Sequence, residues 1–229
     1  EATARFCTEG LGLQQVGVVD SELAQGFYLA DGYLNKRVAV LDGETGVMKR
    51  HWGAYGNTPD DSPAARYDLD AAPSQQFGTP VHCADLSNDG LVYVCDRQAD
   101  RVQVFDQMGT FIRNIDVPFP PVTSPDGRRS GTRGTAVVLA FSPDADQRLM
   151  FVLNQNSVMV DVLDRRSGEL LSSFGGGPGR YRGQFTLPHG IAVDSKGDVY
   201  VGEVSYTIRG SHMDPPRELR SLSKYARQW

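Results

Sequence analysis

The apolar positions of this chain come in short runs, four to six residues long, separated by turn-forming clusters. Almost none follow a helical period. Runs of this length bounded by Gly, Asn, Asp and Pro predict strands rather than helices. Four segments repeat one pattern. Phe27-Tyr28-Leu29-Ala30-Asp31 leads into Arg37–Asp42, and Val92-Tyr93-Val94-Cys95-Asp96 leads into Arg101–Asp106. Met150–Asn154 leads into Met159–Asp164, and Val199–Glu203 leads, after an insertion, into Leu222–Tyr225. Each segment is preceded by a further apolar run, at Val16–Val19, Val81–Leu86, Ala136–Phe141 and Ile191–Val193. The links between them, such as Ser87-Asn88-Asp89-Gly90 and Asp194–Asp198, carry hairpin-turn chemistry. A third and sometimes a fourth strand follows, as in Val47–Trp52 and Thr110–Arg113.

Three or four antiparallel strands repeated at this spacing form the blade of a β-propeller. A sandwich of unrelated hairpins would explain the strands and turns. It would not explain why the same polar position (Asp31, Asp96, Asn154, Glu203) recurs after the same run. The predicted fold is therefore all-β, an NHL-type β-propeller with four visible blades, read as part of a six-bladed ring. The blades fall at approximately 1–56, 76–118, 133–176 and 184–229 of a single domain, with N-terminal blade sequence expected upstream of Glu1. Two stretches break the rhythm, Tyr55–Gln75 and Pro118–Arg133, and are read as long loops over one face. Gly175–Gly183 has no following Lys-Ser/Thr pair or helix, so it is read as a linker rather than a phosphate loop. Gly210-Ser211-His212-Met213 is read as native chain.

The 229 residues suit one all-β domain, and the net charge of −5 speaks against a nucleic-acid surface. No apolar run reaches membrane-spanning length. The three cysteines match no zinc ribbon. Cys83 and Cys95 fall on strands that a tight turn places side by side. They are read as two small core residues, with a cross-strand disulfide as the alternative.

In a blade, the start of the first strand and the end of the second share one face. That rule places His82 and His189, each opening an innermost strand after a proline, on the face that also carries Asp31-Gly32-Tyr33 and Asp96-Arg97. The same position is Gln15 in the first blade and Val137 in the third, so the histidines sit on alternate blades. In a six-bladed ring, a third histidine from upstream would complete the three-ligand set of a catalytic zinc. A histidine at a strand start is also commonly a hydrogen-bonded structural residue, and two alone are not a site. His51 and His212 are read as surface or packing residues, and Asp31 and Asp96 as turn caps.

At these residues the chain resembles the catalytic propeller of peptidyl-α-hydroxyglycine α-amidating lyases, members of the NHL-repeat group. The ordered series Asp31-Gly32-Tyr33, Pro80-Val81-His82, Asp96-Arg97 and Leu187-Pro188-His189 carries the likeness. The resemblance implies zinc on His82 and His189, with Tyr33 and Arg97 as catalytic residues. It implies cleavage of a carbinolamide into a peptide amide and glyoxylate, and a secreted or periplasmic location. Gly190 stands where the lyases have a calcium-associated Asp, which speaks against calcium. Leu187 replaces their methionine, and Leu34 replaces the cysteine that would pair with Cys7. The partner expected is a small-molecule or peptide substrate. The alternative is a non-catalytic propeller that binds a protein or carbohydrate through its loops.

Overall fold

The computed structural model of the chain describes residues 18–19, 26–64, 66–127, 129–130, 134–179 and 181–227. Cys7 and Gln15, singled out above, lie outside them. The described residues are nearly all β, in the β-propeller class, and build four antiparallel sheets of three or four strands plus a two-stranded ribbon, with strands pairing in chain order. The chain divides between Ile115 and Asp116 into two compact units. Among the described residues, no helix is long and apolar enough to cross a membrane.

The first unit holds two sheets. One runs β1 (Val18–Val19), β2 (Gly26–Asp31), β3 (Arg37–Asp42), β4 (Met48–Trp52); the other runs β5 (Val81–Leu86), β6 (Val92–Asp96), β7 (Arg101–Phe105), β8 (Phe111–Asp116). Every residue of β6 and β7 is buried, whereas most of β4 is exposed. This gradient explains the sequence pattern. Middle strands are covered on both faces and read as continuous apolar runs, while outer strands face water. The two sheets share one core, in which Tyr28, Val40 and Trp52 meet Ala84, Val94 and Phe105. The Trp52 and Phe105 ring centroids lie 5.8 Å apart.

In the second unit, a two-stranded ribbon of β9 (Val122–Thr123) and β10 (Arg129–Ser130) precedes a sheet of β11 (Leu139–Phe141), β12 (Leu149–Asn154), β13 (Met159–Asp164) and β14 (Leu170–Phe174). A three-stranded sheet follows, made of β15 (Pro188–Val193), β16 (Val199–Glu203) and β17 (Leu222–Tyr225). The ribbon puts two short strands within the stretch read as a long loop, Pro118–Arg133. Its turn closes where Ser124 hydrogen-bonds Asp126 and the Gly127 N–H reaches Ser124 O. Flanking prolines hid two-residue strands that have no apolar run of their own.

In three of the four sheets the recurring polar residue at the end of the second strand holds a backbone group distant in sequence. Asp96 is fully buried, accepting from Arg101 Nε at 2.9 Å and from the Gly78 N–H at 2.8 Å, four residues before His82. Glu203 accepts from the Thr186 N–H at 2.6 Å, three residues before His189. Asn154 donates to Pro118 O and to Asp161, both at 2.8 Å. Asp31, without such a reach, accepts from Asn35 at 2.9 Å and from Arg37 Nε at 2.8 Å, closing its own turn. The turn-cap reading therefore holds for Asp31 and is too narrow for Asp96. That residue ties the end of one strand to the chain approaching the innermost strand.

A disulfide joins Cys83 and Cys95, directly opposite each other on β5 and β6. This corrects the reading of two free core cysteines: strand pairing brings their Cα atoms to 4.8 Å, within bridging distance. The sequence showed the adjacency but not the oxidation.

Two stability predictions follow from these contacts. Replacing both cysteines by serine removes a cross-link spanning 12 residues, a constraint of about 3 kcal/mol in the chain-entropy picture. A clear fall in urea midpoint is expected, and an unchanged midpoint would refute the contribution. Arg101→Met leaves the buried Asp96 carboxylate without its cation, expected to cost about 3–5 kcal/mol. Burial already pushes the Asp96 carboxyl up, against the pull of Arg101 and the Gly78 N–H. Without Arg101 the folded state holds that proton more tightly than the unfolded chain. The variant should therefore regain stability as pH falls from 7 toward the ordinary carboxyl range. Parallel wild-type and variant stability curves over that interval would contradict the account.

Candidate functional site

The two candidate histidines occupy the same irregularity in two blades. On β5, Val81 faces Asp96 and Cys83 faces Cys95, which leaves His82 as an extra residue between consecutive partners. On β15, Pro188 faces Glu203 and Gly190 faces Gly202, which leaves His189 extra in the same way. The third blade repeats the geometry: the Val137 N–H donates to Leu153 O while the Leu153 N–H donates to Val138 O, so Leu153 faces both. Val137 thus holds the histidine position of that blade. A bulge of this kind releases one side chain from the alternation of the strand and re-aims it. Both histidines are half-buried.

Around His82 the structure assembles more of the expected set. Gly32 lies against the backbone of Val81 so closely that an added Cβ would sit 2.0 Å from Val81 O and 2.2 Å from Val81 N. Only glycine permits this approach, and it lays the turn after β2 across the start of β5. Tyr33, the next residue, is 66% exposed, and its ring centroid lies 6.2 Å from that of His82, tilted by 59°. The phenol is open to a ligand while its ring rests beside the imidazole. Arg97 begins a short 3₁₀ turn, Arg97–Ala99, directly after the residue that faces Val81, so it shares the strand end that carries His82. Tyr33, His82 and Arg97 therefore belong to one end of the first unit; His189 lies in the second.

The turn bearing Tyr33 is held by a residue the sequence reading did not single out. Lys36 has a left-handed backbone (φ 51°), is 2% exposed, and reaches Asp60 Oδ1 at 2.7 Å and the carbonyl of Ser62. The Lys36 ammonium and the Ser62 hydroxyl hold the Asp60 carboxyl below its ordinary range. Further along, Arg101 bonds Ser74 O at 3.2 Å and the Tyr55 hydroxyl at 2.7 Å. The Pro-rich stretch after Tyr55 is thereby strapped to the first unit at its start, middle and end. A lysine in a polar turn carries no local signal of such a role, because its partners are 24 and 26 residues away.

His51 is exposed on β4, and His212 sits in a 3₁₀ turn, where its Nδ1 lies 3.1 Å from Ser211 Oγ. Neither joins the candidate residues. Among the described residues, no group of three or more His, Cys, Asp or Glu side chains gathers in metal-binding geometry.

No protein-family model matches the chain. Two curated relatives are peptidyl-glycine alpha-amidating monooxygenases B and A of Xenopus laevis, each 24% identical over 219 and 218 residues respectively, or 92% of this chain. The chain spans about a fifth of their length, 22% and 20%. Among solved structures, a dihydro-heme d1 dehydrogenase covers 83% of this chain and 32% of its own, at 17% identity and TM-score 0.44. A protein from Lactobacillus plantarum covers 80% and 48%, at 19% identity and TM-score 0.49. The chain is thus distantly similar to amidating enzymes.

Proposed function

We propose that this chain is a lyase-like propeller that cleaves a peptidyl-α-hydroxyglycine-type carbinolamide into a peptide amide and glyoxylate. The observation that carries the reading is that the close approach of Gly32 to Val81 sets Tyr33 beside His82. The distant similarity to amidating monooxygenases supports it.

In this mechanism Tyr33 acts as the base that takes the proton of the substrate hydroxyl. The electron pair left on oxygen forms the glyoxylate carbonyl as the C–N bond breaks, and the departing amide nitrogen takes up a proton. No electron is gained or lost overall. Its exposure leaves Tyr33 open to such a contact, and a general base in position contributes roughly 10²–10⁴-fold. Arg97 would hold the substrate carboxylate through charge-assisted hydrogen bonds.

His82 and His189 are the proposed zinc ligands. Imidazole nitrogens released from the strand pairing at matching bulges are the right donors for zinc, and a catalytic zinc uses three protein ligands of this kind. When bound, zinc would polarise the substrate oxygens as a Lewis acid. The chain's own contribution is to hold Tyr33 beside an imidazole and to present Arg97 at the same strand end.

The test is glyoxylate release from a synthetic peptidyl-α-hydroxyglycine, with the zinc content of the same preparation measured in parallel. Tyr33→Phe should lower kcat by at least about a hundredfold with little change in melting temperature. Gly32→Ala, which drives the turn off Val81, should lower it comparably although the phenol is retained. His82→Ala should lose zinc. Folded, zinc-loaded protein that releases no glyoxylate would refute the activity, and a Tyr33→Phe variant with full activity would refute the role of the phenol.

A further inference from the structure

Between β16 and β17 the second unit carries the insertion that interrupts the fourth repeat, and this segment builds a cleft that the lyase reading does not use. It begins with a short helix, Ser205–Ile208, and turns through Gly210. The Arg217 N–H donates to Gly210 O at 3.1 Å, and a Cβ on Gly210 would lie 2.3 Å from Arg217 O. Glycine here lets the two arms of the insertion touch, so Arg209 and Arg217 stand on adjoining backbone.

The cleft has two lobes of about 420 and 500 Å³, which share Pro178, Gly179 and Arg209. Arg217 lines the second lobe. Such volumes are those of small-ligand sites, roughly 300–1,000 Å³. The walls combine apolar surface from Val158, Ile208 and Leu219 with these two guanidinium groups, and among the described residues no Asp or Glu lines either lobe. Among the described residues, neither Arg209 nor Arg217 forms an ion pair. Asp214 and Glu218 lie on the same insertion but outside the lining. Glu203, the other nearby carboxylate, is engaged by the Thr186 N–H and, at 3.6 Å, by Arg220.

Arg220 also braces the glycine-rich wall, donating to the carbonyls of Gln184 and Tyr181. On the opposite side, Gln155 lines the first lobe and donates to Pro188 O at 2.8 Å, the residue before His189. Both walls are therefore anchored to the sheets, and one abuts the start of β15. Among the described residues, Arg209 and Arg217 thus line the cleft without carboxylate partners, on a chain whose net charge is −5.

We infer that this cleft binds the carboxylate of a short apolar peptide, with Arg209 and Arg217 holding the anion and the apolar walls taking its side chains. Guanidinium groups match a carboxylate's two oxygens in the plane of the fork. The inference does not depend on the lyase chemistry, because its residues do not overlap with Tyr33, His82 or Arg97.

The experiment is calorimetric titration of the intact chain with N-acetyl-Phe-Leu bearing a free carboxylate, with its C-terminal amide, and with inorganic phosphate. The free acid should bind, and the amide should bind at least about tenfold more weakly. Arg209→Ala and Arg217→Ala should each weaken the acid by a similar factor without altering the melting temperature, since both side chains are exposed. Equal binding of acid and amide would overturn the proposal, as would absence of binding. Phosphate binding as tightly as the peptide would replace it with a bare-anion site. The comparison of acid with amide on the wild-type chain decides the matter even where a variant fails to fold.

Discussion

The grip of a buried polar side chain on the segment entering the innermost strand of its own sheet is the contact on which the two histidine-bearing blades depend. Asp96 holds the Gly78 N–H and Glu203 holds the Thr186 N–H, in each case a few residues before a histidine. A carboxylate buried in this way is tolerable only because it receives backbone N–H groups and a cation. In return it fixes where the incoming chain joins the sheet, and so where the extra residue of the bulge falls. The third blade lacks that short connection, since Asn154 reaches Pro118 O upstream of the ribbon, yet it keeps the same two-against-one pairing at Leu153. The bulge is thus a property of the blade, and histidine is one of several residues that occupy it.

Chemistry is added to that scaffold by close backbone approach. Gly32 brings the turn after β2 against Val81, and this contact between consecutive sheets sets Tyr33 beside His82. Lys36 holds the far side of the same turn through Asp60, and the Cys83–Cys95 disulfide pins the two strands whose ends carry His82 and Arg97. The rigidity of this region comes from different kinds of bond converging on a few residues. That is the support an exposed phenol needs if it is to hold one position.

The insertion of the fourth repeat follows a different logic. It leaves the third strand, β17, paired in register with β16 and places its additional residues at the strand end, where loops lengthen without disturbing the sheet. Its arginines line a cleft whose described lining holds no carboxylate, although the chain as a whole is acidic.

The strands, their order and the blade repeat were legible in the sequence because side-chain burial in a meander is local. A run of five or six apolar residues between turn formers can only be a covered strand, and its position in the repeat follows from counting. The equivalence of His82, Val137 and His189 came from the same counting. Other features were decided by groups distant in sequence. The reach of Asp96 to Gly78, the burial of Lys36 on Asp60 and the cleft beneath Arg209 each join residues that no local pattern relates, and the hairpin that paired Cys83 with Cys95 did not reveal their oxidation. Short-range periodicity determined which segments pair, since hydrophobic burial acts along the strand. Tertiary structure alone decided which polar groups meet, because a buried charge is set by whichever partner the finished packing brings within hydrogen-bond distance.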